Sequence, residues 1–598
     1  MSEDNSEKKS WIPKIDFDKR KLTKKMRKVE GATVRHTHKF IIKRLGNIRE
    51  VQKDIIVWIL VVGILIAATG MQLVWFRQNY RVLTSATNGT YAEAVQGPVK
   101  VLNPLFADSS AEQAASYLMF SRLLNYDKTG HLSYDLASSV TTNAEKTIYT
   151  VKVRDDVKWH DGNKLTAEDI NFTIGIIKSP NIRTGMKGWT DIGVRLVDEY
   201  TIEFSLSSAY ADFEHMLVFP VLPKHILGDI APSGIRENNF SNNPIGSGPF
   251  KFSFTQEIDK TTGRKIIYLV KNQHYYKGLA KIDRFQLNVY ATTDEIFRAI
   301  STGEVNAAAD LQSTDIKNID KNRYDVESNP VNSGVYAILN TRSALLQDIN
   351  LRRSLQLATN TEAIRSELPD TTPALDLPFT NSQLFGDLPV AQSYNIDSAI
   401  KILNDAGWVL NDQGVREKAG VQLKLSVVTI KNSEFERVLE MLTGQWRLLG
   451  IVVETKVVDP EDIAQAFSQS ILQPRNYDVL LYQLNIGKDP DVYAYWHSSQ
   501  IVSPGVNLSN YSNPISDDAL SSARVRFDTT LRNAKYITFA KQWLNDVPAI
   551  GLYQSTDQYV RSKNVSSVSD ENILISSVDR YSNILDWSVG TKSVYKTP

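Results

Sequence analysis

The chain has 598 residues, of which 42% are hydrophobic and 23% charged, and it contains no cysteine. That length is too great for one core and predicts several domains, while the composition excludes disorder over most of the chain. A mean hydropathy of −0.26 excludes a polytopic membrane protein, and the missing cysteines exclude disulfides, thiolate metal sites, a cysteine nucleophile and a lipidated cysteine anchor.

The net charge of +1 conceals a division along the chain. Residues 1–53 carry 16 Lys and Arg against 7 Asp and Glu, a net of +9, and the remainder carries 52 against 60, a net of −8. At the boundary, the 22 residues from Ile55 to Phe76 hold no charge. As a helix rising 1.5 Å per residue they span about 33 Å, enough for a hydrocarbon layer of about 30 Å. Trp58, Trp75 and Tyr80 fall where interfacial aromatics are expected. A cleavable signal would have a shorter apolar run behind a briefer charged region. The reading is therefore a single-pass cell-membrane protein with residues 1–54 as a basic cytoplasmic arm, 55–76 as the transmembrane helix and the bulk of the chain outside. The arm is either a topology signal or a contact for the anionic inner leaflet. Nucleic acid is not an expected partner. Residues 77–97 hold several Asn, Thr, Ser and Gly, and 77–91 read as a tether.

Ile148–Arg154 alternates with Tyr149, Val151 and Val153 on one face, a half-buried strand. His160-Asp-Gly-Asn163 turns the chain, and Thr166-Ala-Glu-Asp169 starts a helix with Thr166 as N-cap. Thr201–Leu206 is a second strand, in a hairpin with Val194–Val197. Further on, Ala399, Ile400, Leu403 and Ala406 line a helix stopped by Gly407, and a strand follows at Leu423–Thr429. Phe435, Val438, Leu439, Leu442, Trp446 and Leu449 mark an amphipathic helix ended by Gly450. A strand at Ile451–Val458 completes an α/β pattern of packed layers.

No H-E-x-x-H, G-x-S-x-G or P-loop motif is present, and the eight histidines lack ligand spacing. Catalytic residues, a metal and a cofactor are therefore not expected. The 25 Tyr and 10 Trp suit a site that grips a ligand by stacking and hydrogen bonding.

Tyr149–Ile170, with its Trp159-His-Asp-Gly162 core, closely resembles the signature of the family 5 extracellular solute-binding proteins, the peptide- and nickel-binding components of ABC importers. Leu102–Phe106, Leu123–Asp127, Pro244–Phe250, Ala399–Trp408, Asp489-Pro-Asp491 with Tyr495–Ser499, and Tyr511–Pro514 resemble other family segments, in order. The resemblance implies an α/β, two-lobed periplasmic-binding-protein-like clamp of class II with an extra domain on lobe one. By that analogy lobe one is 92–335, with an inserted subdomain about 120–243, lobe two is 336–563, entered at the strand Val335–Asn340, and 564–598 returns to lobe one. The implied function is capture of peptides, oligopeptides first, for delivery to ABC permease and ATPase subunits. A ligand sensor with a cytoplasmic partner and a receptor for a sugar or metal chelate are the alternatives.

The resemblance also nominates site residues. Family members often hold the ligand amino group with an aspartate shortly before Asp-Pro-Asp, but Leu484–Lys488 holds no acid. Asp489 or Asp491 takes that role, or else both cap the turn at Pro490. Apart from the resemblance, Tyr482, Trp496 and Trp189 are either stacking walls or core aromatics. Ser247 and Gly248 either line the cleft or belong to a tight turn.

Overall fold

The computed structural model describes residues 48–595 apart from 181, 183, 185, 187, 312–315, 370, 460–466 and 568–571. Most of the basic arm lies outside the described residues. The chain divides into a unit of 1–84 with 593–598, and a unit of 85–592.

The first unit is dominated by helix α1, Ile48–Tyr80. Its stretch Gln52–Trp75 is long and apolar enough to cross a membrane, and none of it is buried against protein. Apolar side chains on every face leave this helix no polar side to show to water. Residues 77–91, the expected tether, hold the end of α1, the strand Arg81–Ser85, which pairs with Thr591–Tyr595, and the start of the first core strand.

The second unit is built on a ten-stranded mixed sheet. In chain order its strands are β1 (Thr90–Gln96), β2 (Phe250–Asp259), β3 (Arg264–Lys271), β4 (Arg284–Tyr290), β5 (Ala307–Ala308), β6 (Tyr324–Leu339), β7 (Lys424–Ile430), β8 (Val452–Val458), β9 (Val479–Asn485) and β10 (Ala549–Ser562). Their spatial order is β8-β7-β9-β6-β10-β5-β1-β4-β3-β2. A separate four-stranded sheet of Ala137–Thr142, Ile148–Val153, Gly193–Asp198 and Thr201–Ser205 packs into the lobe-one core.

The long antiparallel ribbon of β6 and β10 joins the two halves of the large sheet. The first half of β6, Tyr324–Pro330, pairs with Thr556–Ser562, and its second half, from Gly334, pairs with Ala549–Gln554. Register shifts interrupt the ribbon between Pro330 and Gly334 and again at Val335/Tyr336. β9 pairs with β6 only at 333–339, and β5 meets β10 only at Arg561 and Val560. The cores divide at the same place. Two hydrophobic clusters draw buried residues only from 91–324 and 559–587, and two only from 335–553. Two lobes thus hang on one ribbon, bent where its ladder is broken.

Local signals account for these elements. Thr166 caps the helix Ala167–Ile177 in a reciprocal capping box with Asp169. Asn432 caps Ser433–Arg447, which buries Phe435, Val438, Leu439, Leu442 and Trp446 in lobe two. Gly450 then leaves the helix with φ of +81°, a conformation other residues rarely adopt. The hairpin of 193–198 with 201–205 forms with Val194 opposite Phe204.

Candidate functional site

Below the ribbon the lobes meet along a polar seam. Lobe one contributes Tyr210, Ala211 and Asp212, followed by the short helical turn Phe213–Met216 that carries His215. Lobe two contributes the loop after β9, and Ile486 N and Gly487 N both donate to Asn332 O of the ribbon, at 2.9 and 3.2 Å. That pair of bonds fixes the entry of Lys488-Asp-Pro-Asp491 into the seam. Behind it stand helices α2 (Pro514–Arg524) and α3 (Thr529–Asp546).

Asp491 is the junction. Its Oδ2 accepts Arg524 Nε at 2.8 Å, and its Oδ1 accepts Tyr493 N at 3.2 Å. The Tyr210 hydroxyl from the other lobe lies 3.0 Å from Asp491 Oδ2. The backbone also crosses, Ala211 N donating to Arg524 O at 2.8 Å. The Arg524 guanidinium is held between the Tyr210 and Tyr493 rings, 4.6 and 4.4 Å from their centroids. Burial, then the Asp491 charge, raise the Tyr210 hydroxyl far above its usual value, so it remains a donor.

Asp489 faces Arg532. The guanidinium grips both carboxylate oxygens, Nη2 to Oδ1 at 2.6 Å, and neither side chain is more than 13% exposed. Such a bidentate pair leaves little of Asp489 free for other donors. Asp212 lies across the seam without an ion-pair partner among the described residues. Its Oδ2 is 3.2 Å from the Tyr210 hydroxyl, whose single proton serves either Asp212 or Asp491. Its Oδ1 is buried and accepts no hydrogen bond from the described residues. Burial, then Asp489 and Asp491, push the Asp212 carboxyl well above the usual carboxylate range. Burial holds the His215 imidazole low despite the pull of Asp489, and its Nδ1 pairs with the Tyr126 hydroxyl at 2.8 Å.

The residues nominated from sequence fall in different places. Asp489 and Asp491 stand together at the seam. Tyr482 is half-buried on β9, its ring 6.0 Å from Phe467. Trp496 is in the lobe-two core against Trp543 and Tyr336. Trp189 is in the lobe-one core, edge-on to Phe219 at 5.3 Å. Ser247 is buried against Ser121, whose N–H reaches its hydroxyl at 3.3 Å. Gly246 and Gly248 lie on the end of the helix Ser110–Met119, where a Cβ at Gly246 would come within 1.9 Å of Met119 O.

The signature residue His160 ties this turn down. Gly246 N donates to its Nδ1 at 3.2 Å, so its Nε2 donates to Gly248 O at 3.0 Å. Burial depresses its pKa to about 4. Sequence reasoning missed Tyr210, Asp212, His215, Arg524 and Arg532, none of which belongs to a motif. Tyr210 and Asp491 are 281 residues apart. No spacing rule along the chain could pair them, and the trio Asp212, His215 and Asp489 closes only in three dimensions.

Two lobes on a bent ribbon, meeting at a polar seam, define a solute-binding clamp. The chain belongs to the bacterial extracellular solute-binding proteins, family 5, whose middle region matches residues 131–502. It is 26% identical over 485 residues to the oligopeptide-binding protein AppA of Bacillus subtilis, covering 78% of this chain and 87% of AppA. The structure of AppA in complex with a nonapeptide superposes with a TM-score of 0.72 at 25% identity, over 85% of this chain and all of that one. NikZ of Campylobacter jejuni, in complex with Ni(L-His), has the same fold at a TM-score of 0.70 and 23% identity, over 83% of this chain and 99% of that one. DppA of Helicobacter pylori, in complex with the peptide STSA, gives 0.70 at 19% identity, over 84% and 99%. These relatives are solute-binding proteins rather than enzymes.

Proposed function

We propose that this chain is a membrane-anchored receptor that captures peptides, oligopeptides first, between its lobes and delivers them to the permease and ATPase of an ABC importer. The observation that carries this reading is the single ribbon joining two separately cored lobes, with a polar seam between them. A solute that touches both faces favours the closed arrangement, and a transporter can read the resulting change of shape. Peptide main chain offers the same donors and acceptors whatever its side chains, so a polar cleft suits varied peptides. The likeness to AppA over 78% of the chain supports oligopeptides as the solute class. The exposed apolar stretch Gln52–Trp75 supports anchoring by a spanning helix, with the basic residues before it on the cytoplasmic side and their charge available to an anionic leaflet.

The test is native mass spectrometry of the full chain, extracted in mild detergent from cells grown on a peptide-rich medium. The expected result is the protein carrying a ladder of peptide masses. A homogeneous sugar or a metal chelate in their place would overturn the peptide assignment.

A further inference from the structure

One end of lobe one carries cations that no carboxylate there pairs. β4 begins at Arg284, opposite Thr90 at the start of β1, and β10 ends at Ser562, opposite Tyr324 at the start of β6. Backbone hydrogen bonds tie the segments at this end to the residues that lead into β1. Arg284 N donates to Gly89 O at 3.2 Å, and Asn88 N donates to Lys281 O at 2.6 Å. On the other side Ala86 N donates to Gly590 O at 3.1 Å, Gly590 N to Asn564 O at 2.7 Å, and Lys563 N to Arg323 O at 3.0 Å.

The charges at this end are unevenly matched. Lys271 pairs with Asp283, and Lys281 with Asp586. Arg284, Lys321, Arg323 and Lys563 are exposed and form no ion pair among the described residues. Lys563 Nζ donates to Lys321 O at 2.7 Å and Arg323 Nη1 to Ser301 O at 3.4 Å, neither of which cancels a charge. Against these four stands Asp320, whose Oδ1 accepts Asn322 N at 3.0 Å. Just before Lys281 the loop also turns an apolar side chain outward, Leu279, which is 56% exposed.

We propose that this end of lobe one binds anionic lipid headgroups of the leaflet from which the chain emerges, with Arg284, Lys321, Arg323 and Lys563 on lipid phosphates and Leu279 entering the headgroup layer. The proposal rests on the anchored reading above, and it concerns the leaflet opposite the basic arm. The six residues 81–86 carry the chain from the end of α1 at Tyr80 to Ala86, a reach of about 20 Å at most. In the anchored reading the bilayer surface therefore lies close to the segments bonded to Ala86, and anionic lipid attracts cations that come within a Debye length of about 10 Å. Arg323 and Arg284 flank β6 and β4, which are four strand spacings apart in the sheet, about 19 Å. Cations spread that widely fit several headgroups and not one small anion. An apolar side chain beside them adds the buried area by which interfacial surfaces hold to lipid.

The test uses the full chain in nanodiscs, of phosphatidylcholine alone or mixed in equal parts with phosphatidylglycerol. An environment-sensitive dye on Leu279→Cys, in a chain without native cysteines, is read against headgroup-spin-labelled lipid. Three charges in excess are expected to raise the docked-to-undocked ratio about 100-fold in the anionic discs, seen as quenching there and little in neutral ones. The quenching should vanish in about 0.5 M salt, where the Debye length falls to about 4 Å, and in the double variant Lys321→Glu, Lys563→Glu. The salt arm needs no variant to fold. Equal quenching in both lipids, or quenching that survives salt and charge reversal, would show proximity through the tether alone and overturn the proposal. A dye on Lys401→Cys in lobe two quenched as strongly would show that no particular face meets the lipid, and would overturn it too. No quenching in either disc, with peptide uptake by cells lost on charge reversal, would assign the surface to the permease instead. A chain that does not enter nanodiscs removes the anchored reading and this proposal with it.

Discussion

Replacing Tyr210 by Phe removes one oxygen atom from the seam and nothing from either core. The ring keeps its place beside Arg524, 4.6 Å from the guanidinium, and Asp491 keeps both Arg524 and the Tyr493 N–H. What disappears is the 3.0 Å contact between lobes, together with the 3.2 Å contact of the same hydroxyl to Asp212 Oδ2. A hydrogen bond to a carboxylate contributes about 1.5–3 kcal/mol, and the lower value applies because Asp491 retains two donors. About 1.5 kcal/mol is roughly tenfold in the ratio of closed to open forms. Because apparent affinity scales with the competent fraction, peptide affinity should fall by up to about tenfold where the open form dominates. The absence of native cysteines permits a direct assay: a dye pair on Ser138→Cys in lobe one and Lys401→Cys in lobe two, read by single-molecule energy transfer. Calorimetry with peptide supplies the affinity. Tyr210→Phe should lower the ligand-free closed population and the affinity together while the thermal midpoint stays within a degree or two. An unchanged population and affinity would refute the role of this hydroxyl in closure. A large loss of thermal stability would show instead that it serves the fold of one lobe.

His160, whose pKa falls from 6.5 to about 4 on folding, should make the fold acid-sensitive. Its stabilisation is complete above the unfolded value and is lost as pH falls from about 6.5 through about 4, by about 3 kcal/mol. His160→Gln should remove this component, seen as a smaller drop in denaturant midpoint between pH 7 and pH 4.5 than in wild type; an identical drop would refute it. Gly246→Ala should cost about 2–3 kcal/mol, because its Cβ would meet the Met119 carbonyl at 1.9 Å; a melting temperature equal to wild type would show that the turn yields. For topology, a membrane-impermeant maleimide should label Val390→Cys in intact cells and spare Ser6→Cys, and the reverse pattern would overturn the assigned orientation.

Sequence periodicity carried the regular elements well. Tyr149, Val151 and Val153 alternate into the core as expected, and Thr166 caps its helix in a capping box with Asp169, three residues on. The strand expected at 423–429 occurs at 424–430, because pattern locates a strand better than it locates its ends. The ribbon was half legible. Val335–Asn340 reads as a strand, but Tyr324–Asn332 includes Pro330, Asn329 and Ser328, which argue against a central strand. It is tolerated because the β6–β10 register breaks between Pro330 and Gly334. The site was legible only at Asp489 and Asp491, through the motif that contains them. The aromatic count pointed to stacking walls, yet Trp189 and Trp496 fill cores, since composition cannot say which face a large ring turns inward.

The arrangement of charge explains how such a clamp opens without stranding an ion. Both ion pairs of the seam, Asp489–Arg532 and Asp491–Arg524, are formed within lobe two. Parting the seam would therefore break neither; the contacts it would break include a tyrosine hydroxyl and a backbone N–H, which water can satisfy, and the stacking of the Tyr210 ring on Arg524. Breaking a buried ion pair would cost about 3–5 kcal/mol, enough to lock the clamp shut. Because Asp489 and Asp491 carry their guanidiniums with them on lobe two, the hydrogen bonds across the seam come from neutral donors, and parting it would leave no ion without its partner.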